Sequence, residues 1–105
     1  MAWNPEDVGA RLARERDNAE YAAEDALRKS RRDPSYEKWA DKEHAKLVLL
    51  YLLAPMEHRS RENLVDAARS GAEGLHEDGY QPFDRKRYRA ELLRVAEDLI
   101  AMFPE

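Results

Sequence analysis

Apolar side chains recur along this chain at intervals of three and four residues, in four segments separated by short polar stretches. This spacing is typical of amphipathic α-helices, and the alternation that marks a half-buried strand is absent from the sequence. The sequence therefore predicts helices over approximately residues 5–29, 34–54, 61–76 and 85–103. Because short connections favour antiparallel neighbours, we expect a single all-α domain over residues 1–105, folded as an up-down-up-down four-helix bundle.

The helix starts are marked by residues that cap helices. In two of them an Asn or Asp stands directly before a proline, and proline is favoured at the first helical position. The predicted cap residues are Asn4, Asp33, Ser60 and Asp84. The side-chain oxygen of each can accept a hydrogen bond from a backbone N–H that the first helical turn leaves without a partner.

The second predicted helix is more apolar than an amphipathic helix requires. Every residue from Leu47 to Leu53 is apolar, so this part of the helix has no polar face. Val48, Leu49 and Leu52 are expected to point away from the core stripe and to form the kind of surface patch that marks an interface. The alternative is that the third helix or the segment around Trp3 covers them. Either arrangement makes the second helix the most buried one.

Composition limits the class of protein. The chain has 105 residues and no cysteine, which excludes disulfides and thiolate metal sites. Its 43% hydrophobic content is too high for a disordered chain. The longest apolar run has 8 residues, against about 20 for a membrane span. The first residues do not resemble a secretory signal. We therefore expect a soluble, cytoplasmic protein without a membrane partner.

Basic side chains gather near two helix ends, although the net charge of the chain is -4. The members of these two groups are Arg28, Lys29, Arg31 and Arg32 at the first interhelical turn, and Arg85, Lys86, Arg87 and Arg89 at the start of the fourth helix. In an up-down-up-down bundle both groups lie at one end. Cations at a helix N-terminus oppose the helix dipole and cost about 0.3–1 kcal/mol each. Such a conflict is more often tolerated where a site needs it.

This basic end is a candidate site for the phosphate of a nucleotide or a nucleic acid. Tyr80 and Phe83 lie just before the fourth helix, where an aromatic ring could stack on a base. The alternative is a solvated surface, because Glu73, Glu77 and Asp78 are expected to reach the same end and neutralise much of its charge. Salt dependence separates phosphate binding from docking through the second helix, since contacts to phosphate weaken steeply as the salt concentration rises while apolar interfaces do not.

A partial metal-binding pattern is also present. Asp41 and His44 have the i,i+3 spacing of a carboxylate–histidine motif, and so do Glu73 and His76, while Glu15 projects from the apolar stripe of the first helix. The combination resembles a fragment of the ferritin-like pattern of di-iron carboxylate bundles, which implies iron binding or oxidation. The chain departs from that pattern, because one motif has Asp in place of Glu and His76 stands among glycines. We predict no metal site and keep these five residues as weak candidates.

Signatures of catalysis are missing from the sequence. There is no P-loop, dinucleotide fingerprint, Gly-x-Ser-x-Gly elbow or cysteine nucleophile. His44, His58 and His76 have no convergent nucleophile and are expected at the surface. We therefore predict a non-enzymatic interaction protein of adaptor or inhibitor type, with no catalytic residue and no cofactor. Its expected partner is a second copy of itself or another protein, bound through the second helix.

Overall fold

Four α-helices make up most of the computed structural model, which describes residues 2–75 and 80–104. The helices are α1 (Pro5–Ser30), α2 (Glu37–Leu53), α3 (Arg61–Gly74) and α4 (Arg85–Ala101), with one 3₁₀ turn at Pro34–Tyr36. The described residues contain no strand, and none of their helices is long and apolar enough to cross a bilayer. The prediction of an all-helical fold is confirmed.

Three helix starts follow the predicted capping chemistry. The Oδ1 atom of Asn4 accepts hydrogen bonds from the backbone N–H groups of Glu6 at 3.0 Å and Asp7 at 3.3 Å. Ser60 accepts one from the N–H of Asn63 at 3.2 Å. Asp84 caps α4 in the same way. Each side chain satisfies donors that have no partner within the helix, which confirms these caps.

Two helix boundaries differ from the sequence prediction. Asp33 accepts a hydrogen bond from the N–H of Ser35 at 2.9 Å, but it opens the 3₁₀ turn, and α2 itself begins three residues after Pro34. At the other end of the chain, the N–H of Phe103 bonds to the carbonyl of Ile100 at 3.1 Å. This tighter i→i−3 bond closes the last turn, so that α4 ends before residue 103.

The continuous apolar core is built mainly by α2, α3 and α4, together with the first half of α1. Packing is extensive between α1 and α2, between α2 and α4, and between α3 and α4, and is smaller between α2 and α3. Between α1 and α4 the described residues show no comparable packing. The molecule is elongated, with principal extents of 46 × 23 × 20 Å.

Leu49 is fully buried, and the prediction that it points away from the core is wrong. The reason is Gly71 on α3, which has no side chain and lets α3 approach α2 closely. A Cβ atom built on Gly71 would lie 2.5 Å from a terminal carbon of Leu52 and 3.1 Å from one of Leu49. The alternative interpretation therefore holds for Leu49, which α3 covers, whereas Leu52 is covered in part.

The segment before α1 contacts the loop after α2 and the residues after α4. The indole N–H of Trp3 donates a hydrogen bond to the backbone carbonyl of His58 at 2.7 Å. The Trp3 ring packs edge-on against Phe103, with centroids 6.5 Å apart. The expectation that His58 lies at the surface is wrong, because its side chain is buried with Nε2 2.9 Å from the carbonyl oxygen of Leu53. His58 thus lies at a carbonyl at the end of α2 that also accepts a hydrogen bond from the N–H of Met56 at 3.2 Å.

Candidate functional site

An apolar surface lies along the second half of α2 and the turn that follows it. We call it the α2 strip, and its members are Val48, Tyr51, Leu52 and Met56. Tyr51 is 49% exposed, Met56 42% and Leu52 37%, while Val48 is half-buried. Val48, Tyr51 and Leu52 stand at i, i+3 and i+4, which is the spacing of one helix face. Val48 and Leu52 belong to the predicted interface, whereas Tyr51 and Met56 were missed.

The neighbours of α2 locate this surface within the fold. The guanidinium of Arg16 on α1 lies 5.7 Å from the centre of the Tyr51 ring. Two turns earlier on the same face of α2, His44 stacks on Tyr80 at 3.8 Å and lies 6.1 Å from the Tyr88 ring of α4. The face that runs from His44 to Tyr51 is therefore bordered by α4 beside His44 and by α1 beside Tyr51.

A buried carboxylate joins the start of α4 to the first turns of α2. Asp41 has no exposed surface and accepts hydrogen bonds from four donors. The donors are the Tyr80 hydroxyl at 2.9 Å, the Phe83 N–H at 3.0 Å, the Asp84 N–H at 3.2 Å and the Arg87 guanidinium at 2.9 Å. Both oxygens of this carboxylate therefore have hydrogen-bond partners in the interior, one of them the charged guanidinium of Arg87. Asp41 thus fixes the segment that enters α4 against α2.

The bonds to Asp41 also bring the two basic groups to one end of the fold. The end of α1 leads through a short turn into α2, and Asp41 places the start of α4 beside the first turns of α2. We call the exposed cations of this end the basic pole. Its members are Arg31, Arg32, Lys38, Lys42, Arg85, Lys86 and Arg89. Lys38 and Lys42 were missed from sequence because they flank Asp41 singly and form no run.

Three of the predicted basic residues have partners within the fold. Arg28 and Lys29 both pair with Asp25, and the Lys29 ammonium also lies 5.6 Å from the centre of the Trp39 ring. A hydrogen bond from Lys29, with the charges of Lys29 and Arg28, holds the pKa of Asp25 below its ordinary value. Arg87 is half-buried and binds Asp41. These three side chains are paired with carboxylates of the chain, and the remaining predicted cations belong to the basic pole.

Tyr80 is not a free stacking platform, contrary to the sequence prediction. Its hydroxyl is bonded to Asp41 and its ring is stacked on the imidazole of His44. Phe83 differs, because Asp41 holds its backbone N–H while its ring is 43% exposed. Of the two aromatic residues before α4, Phe83 is therefore the one whose ring can meet a ligand.

Among the described residues, the weak metal candidates do not form a cluster. Glu15 pairs with Lys46 at 3.7 Å, Asp41 is occupied by its four donors, and Glu73 is exposed. His44 stacks on Tyr80, and His76 lies outside the described residues. Within residues 2–75 and 80–104, no group of three carboxylate or imidazole side chains could hold a metal ion.

A second buried carboxylate, Glu91, lies one turn beyond Arg87 on α4. One oxygen accepts a hydrogen bond from the Arg94 guanidinium at 2.7 Å. The other oxygen, Oε2, is buried and has no partner within the described part of the chain, and the same is true of the Nε atom of Arg87. Residues at i and i+4 are neighbours on a helix, so one water molecule could satisfy both atoms.

Comparison of this chain with protein-family models, with curated proteins and with solved structures finds no match. Function is therefore inferred from the two exposed surfaces, the α2 strip and the basic pole.

Proposed function

We propose that this protein is a non-enzymatic helical interaction module that self-associates through the α2 strip. The observation that carries the proposal is the exposure of three large apolar side chains, Tyr51, Leu52 and Met56, within six residues of the chain. Contiguous apolar surface of this kind is typical of protein–protein interfaces. A helix face with anchors at i, i+3 and i+4 is one of the recurring modes of recognition.

The surroundings of the strip favour a second copy of the chain as its partner. Arg16, which borders the strip beside Tyr51, pairs with Asp17 at 3.6 Å. Arg16 is therefore partnered by a carboxylate of its own chain, and a two-fold copy would not meet an unpaired cation at this point. Two-fold dimers are the commonest closed assemblies, and each makes one patch contact itself. Docking on a different protein through the same strip is the related role of an adaptor or inhibitor.

We further infer that the four helices alternate in direction and that α2 is the most enclosed of them. Contacts that support the alternation are Trp3 with His58, before α1 and after α2, and Arg61 with the carbonyl of Phe103 at 2.9 Å, at the start of α3 and just after α4. The enclosure of α2 is supported by its packing against each of the other three helices.

Self-association predicts that the protein is a dimer at micromolar concentration and that Tyr51→Glu combined with Met56→Glu makes it monomeric. Charges placed in a two-fold apolar interface lose solvation without gaining partners, and we expect dimerisation to weaken at least about 100-fold, or about 2.7 kcal/mol. The fold should survive, because both side chains are exposed and Arg16 lies beside position 51. Sedimentation velocity over a concentration series measures the effect.

The matched control is Leu93→Glu, which places one charge on an exposed leucine of α4 outside the strip. We expect this variant to dimerise like the unaltered protein. A wild-type protein that sediments as a monomer across the series would contradict self-association. Equal weakening by Leu93→Glu would mean that association does not depend on the strip.

A further inference from the structure

We propose that the basic pole binds the phosphate backbone of single-stranded nucleic acid, a role separate from self-association through the α2 strip. The pole combines seven exposed cations from three parts of the chain with one exposed aromatic ring, that of Phe83. A positive surface that follows the backbone, together with rings on which bases stack, is the arrangement by which proteins bind single strands without sequence preference.

The cations of the pole are available to a ligand. In the described part of the chain, none of the seven forms an ion pair with a carboxylate at 4.0 Å or less. Their neighbours Arg28, Lys29 and Arg87, by contrast, are all paired. The basic residues at this end thus divide into a set paired with Asp25 or Asp41 and an exposed set without a carboxylate partner among the described residues.

Four carboxylates near this end have other partners, while Glu77 and Asp78, which are expected at the same end, lie outside the described residues. Asp25 is shared by Arg28 and Lys29, and Asp41 accepts from four donors in the interior. Asp33 accepts from the N–H of Ser35, which holds its pKa below the ordinary value. Asp84 caps α4 and lies 3.9 Å from Arg87. These four acidic side chains are therefore engaged within the fold and do not pair with the cations of the pole.

The position of the α4 cations is unfavourable for the free protein. Arg85, Lys86 and Arg89 lie in the first turns of α4, which carries no acidic residue in its first helical turn. Each cation there opposes the helix dipole. Incoming phosphate groups would relieve that conflict by neutralising these cations, while Asp84 continues to cap the helix.

Phe83 favours a single strand over a duplex as the ligand. Asp41 anchors the Phe83 backbone, and Phe83 is 43% exposed, so part of its ring is open to a ligand. Bases of a duplex already stack on each other, whereas those of a single strand can stack on a protein ring. Stacking of one base on an aromatic side chain is worth 10-fold or more in affinity.

The test is fluorescence anisotropy of a labelled oligothymidine of about 20 nucleotides titrated with the full chain, at salt concentrations from about 50 to 200 mM. If about four phosphates are contacted, affinity should fall roughly 50-fold over that range, from a slope of about −0.7 per phosphate for single strands. Inorganic phosphate alone should compete only weakly, because it lacks linked charges and a base. A blunt duplex of the same length should bind more weakly than the single strand.

Charge reversal distinguishes a defined site from general attraction. Arg85→Glu with Arg89→Glu should reduce affinity at least about 10-fold at low salt. The matched control, Arg14→Glu with Arg59→Glu, changes the net charge equally at exposed residues outside the pole and should have little effect. Phe83→Ala should lower affinity about 10-fold while leaving the salt slope unchanged. Sedimentation velocity of the same variants shows whether self-association, a separate property, is retained.

Three outcomes would overturn the proposal. The first is no binding at the lowest salt concentration, which would make the pole a solvated surface. The second is equal loss in the control pair, which would reduce binding to overall charge. The third is a duplex bound as tightly as the single strand with no effect of Phe83→Ala, which would exclude stacking.

Discussion

Asp41→Ala is expected to destabilise the protein by about 3–5 kcal/mol, because it removes one partner of a buried ion pair and leaves the other uncompensated. Arg87 would lose its carboxylate, and the N–H groups of Phe83 and Asp84 would lose their acceptor. The free energy of unfolding of a small domain is only about 5–15 kcal/mol, so this loss would be a large fraction of it. Urea denaturation followed by far-ultraviolet circular dichroism measures the change.

Two further variants make this prediction specific to the buried cluster. Asp98→Ala removes an exposed carboxylate from α4 and should change stability by no more than about 0.5 kcal/mol. Asp41→Asn keeps one acceptor oxygen but points an amide N–H₂ at donors, so its loss should approach that of alanine. If Asp41→Ala unfolds at the same urea concentration as the unaltered protein, Asp41 does not anchor the start of α4.

Leu49→Glu is expected to abolish the folded state, since position 49 is fully enclosed and offers no partner for a charge. Leu49→Ala should cost about 2–5 kcal/mol through lost burial and the cavity left behind. Thermal unfolding monitored by circular dichroism checks both variants. Tyr51→Glu, by contrast, changes an exposed residue two positions away on the same helix and should leave the fold intact.

This pair of substitutions also separates the core face of α2 from its outward face. A folded, soluble Leu49→Glu variant would mean that Leu49 faces solvent and that α3 does not cover it. Unfolding of Tyr51→Glu would instead place Tyr51 inside the core. Either result would redefine which residues of α2 are available to a partner.

The sequence predicted the helices well because the signals that start and stop a helix are local. Asn4, Ser60 and Asp84 each cap a helix by bonding to backbone groups two or three residues away. The orientation of α2 could not be obtained in this way. Its second half is apolar on every side, so the hydrophobic pattern does not indicate which side faces the core. Leu49 is enclosed because α3 approaches at Gly71, which is distant in sequence.

The role of Asp41 could not be predicted either, because its partners are also distant in sequence. Locally it reads as a carboxylate three residues before a histidine, which is a fragment of a metal motif. Its four donors come from residues 39 to 46 positions further along the chain. The basic groups were visible as runs of charge, but only the fold shows which cations are paired with Asp25 or Asp41 and which are exposed.

The alanine-rich second half of α1 gives the molecule a part that can open by itself. Its buried positions there include Ala19, Ala23 and Ala26, and the last two lie outside the continuous core. Small side chains bury little apolar area, and this helix packs chiefly on α2. Amide hydrogen exchange should therefore be fastest there among the helix interiors, by local opening rather than global unfolding. Equal protection across all four helices would instead make the fold one cooperative unit.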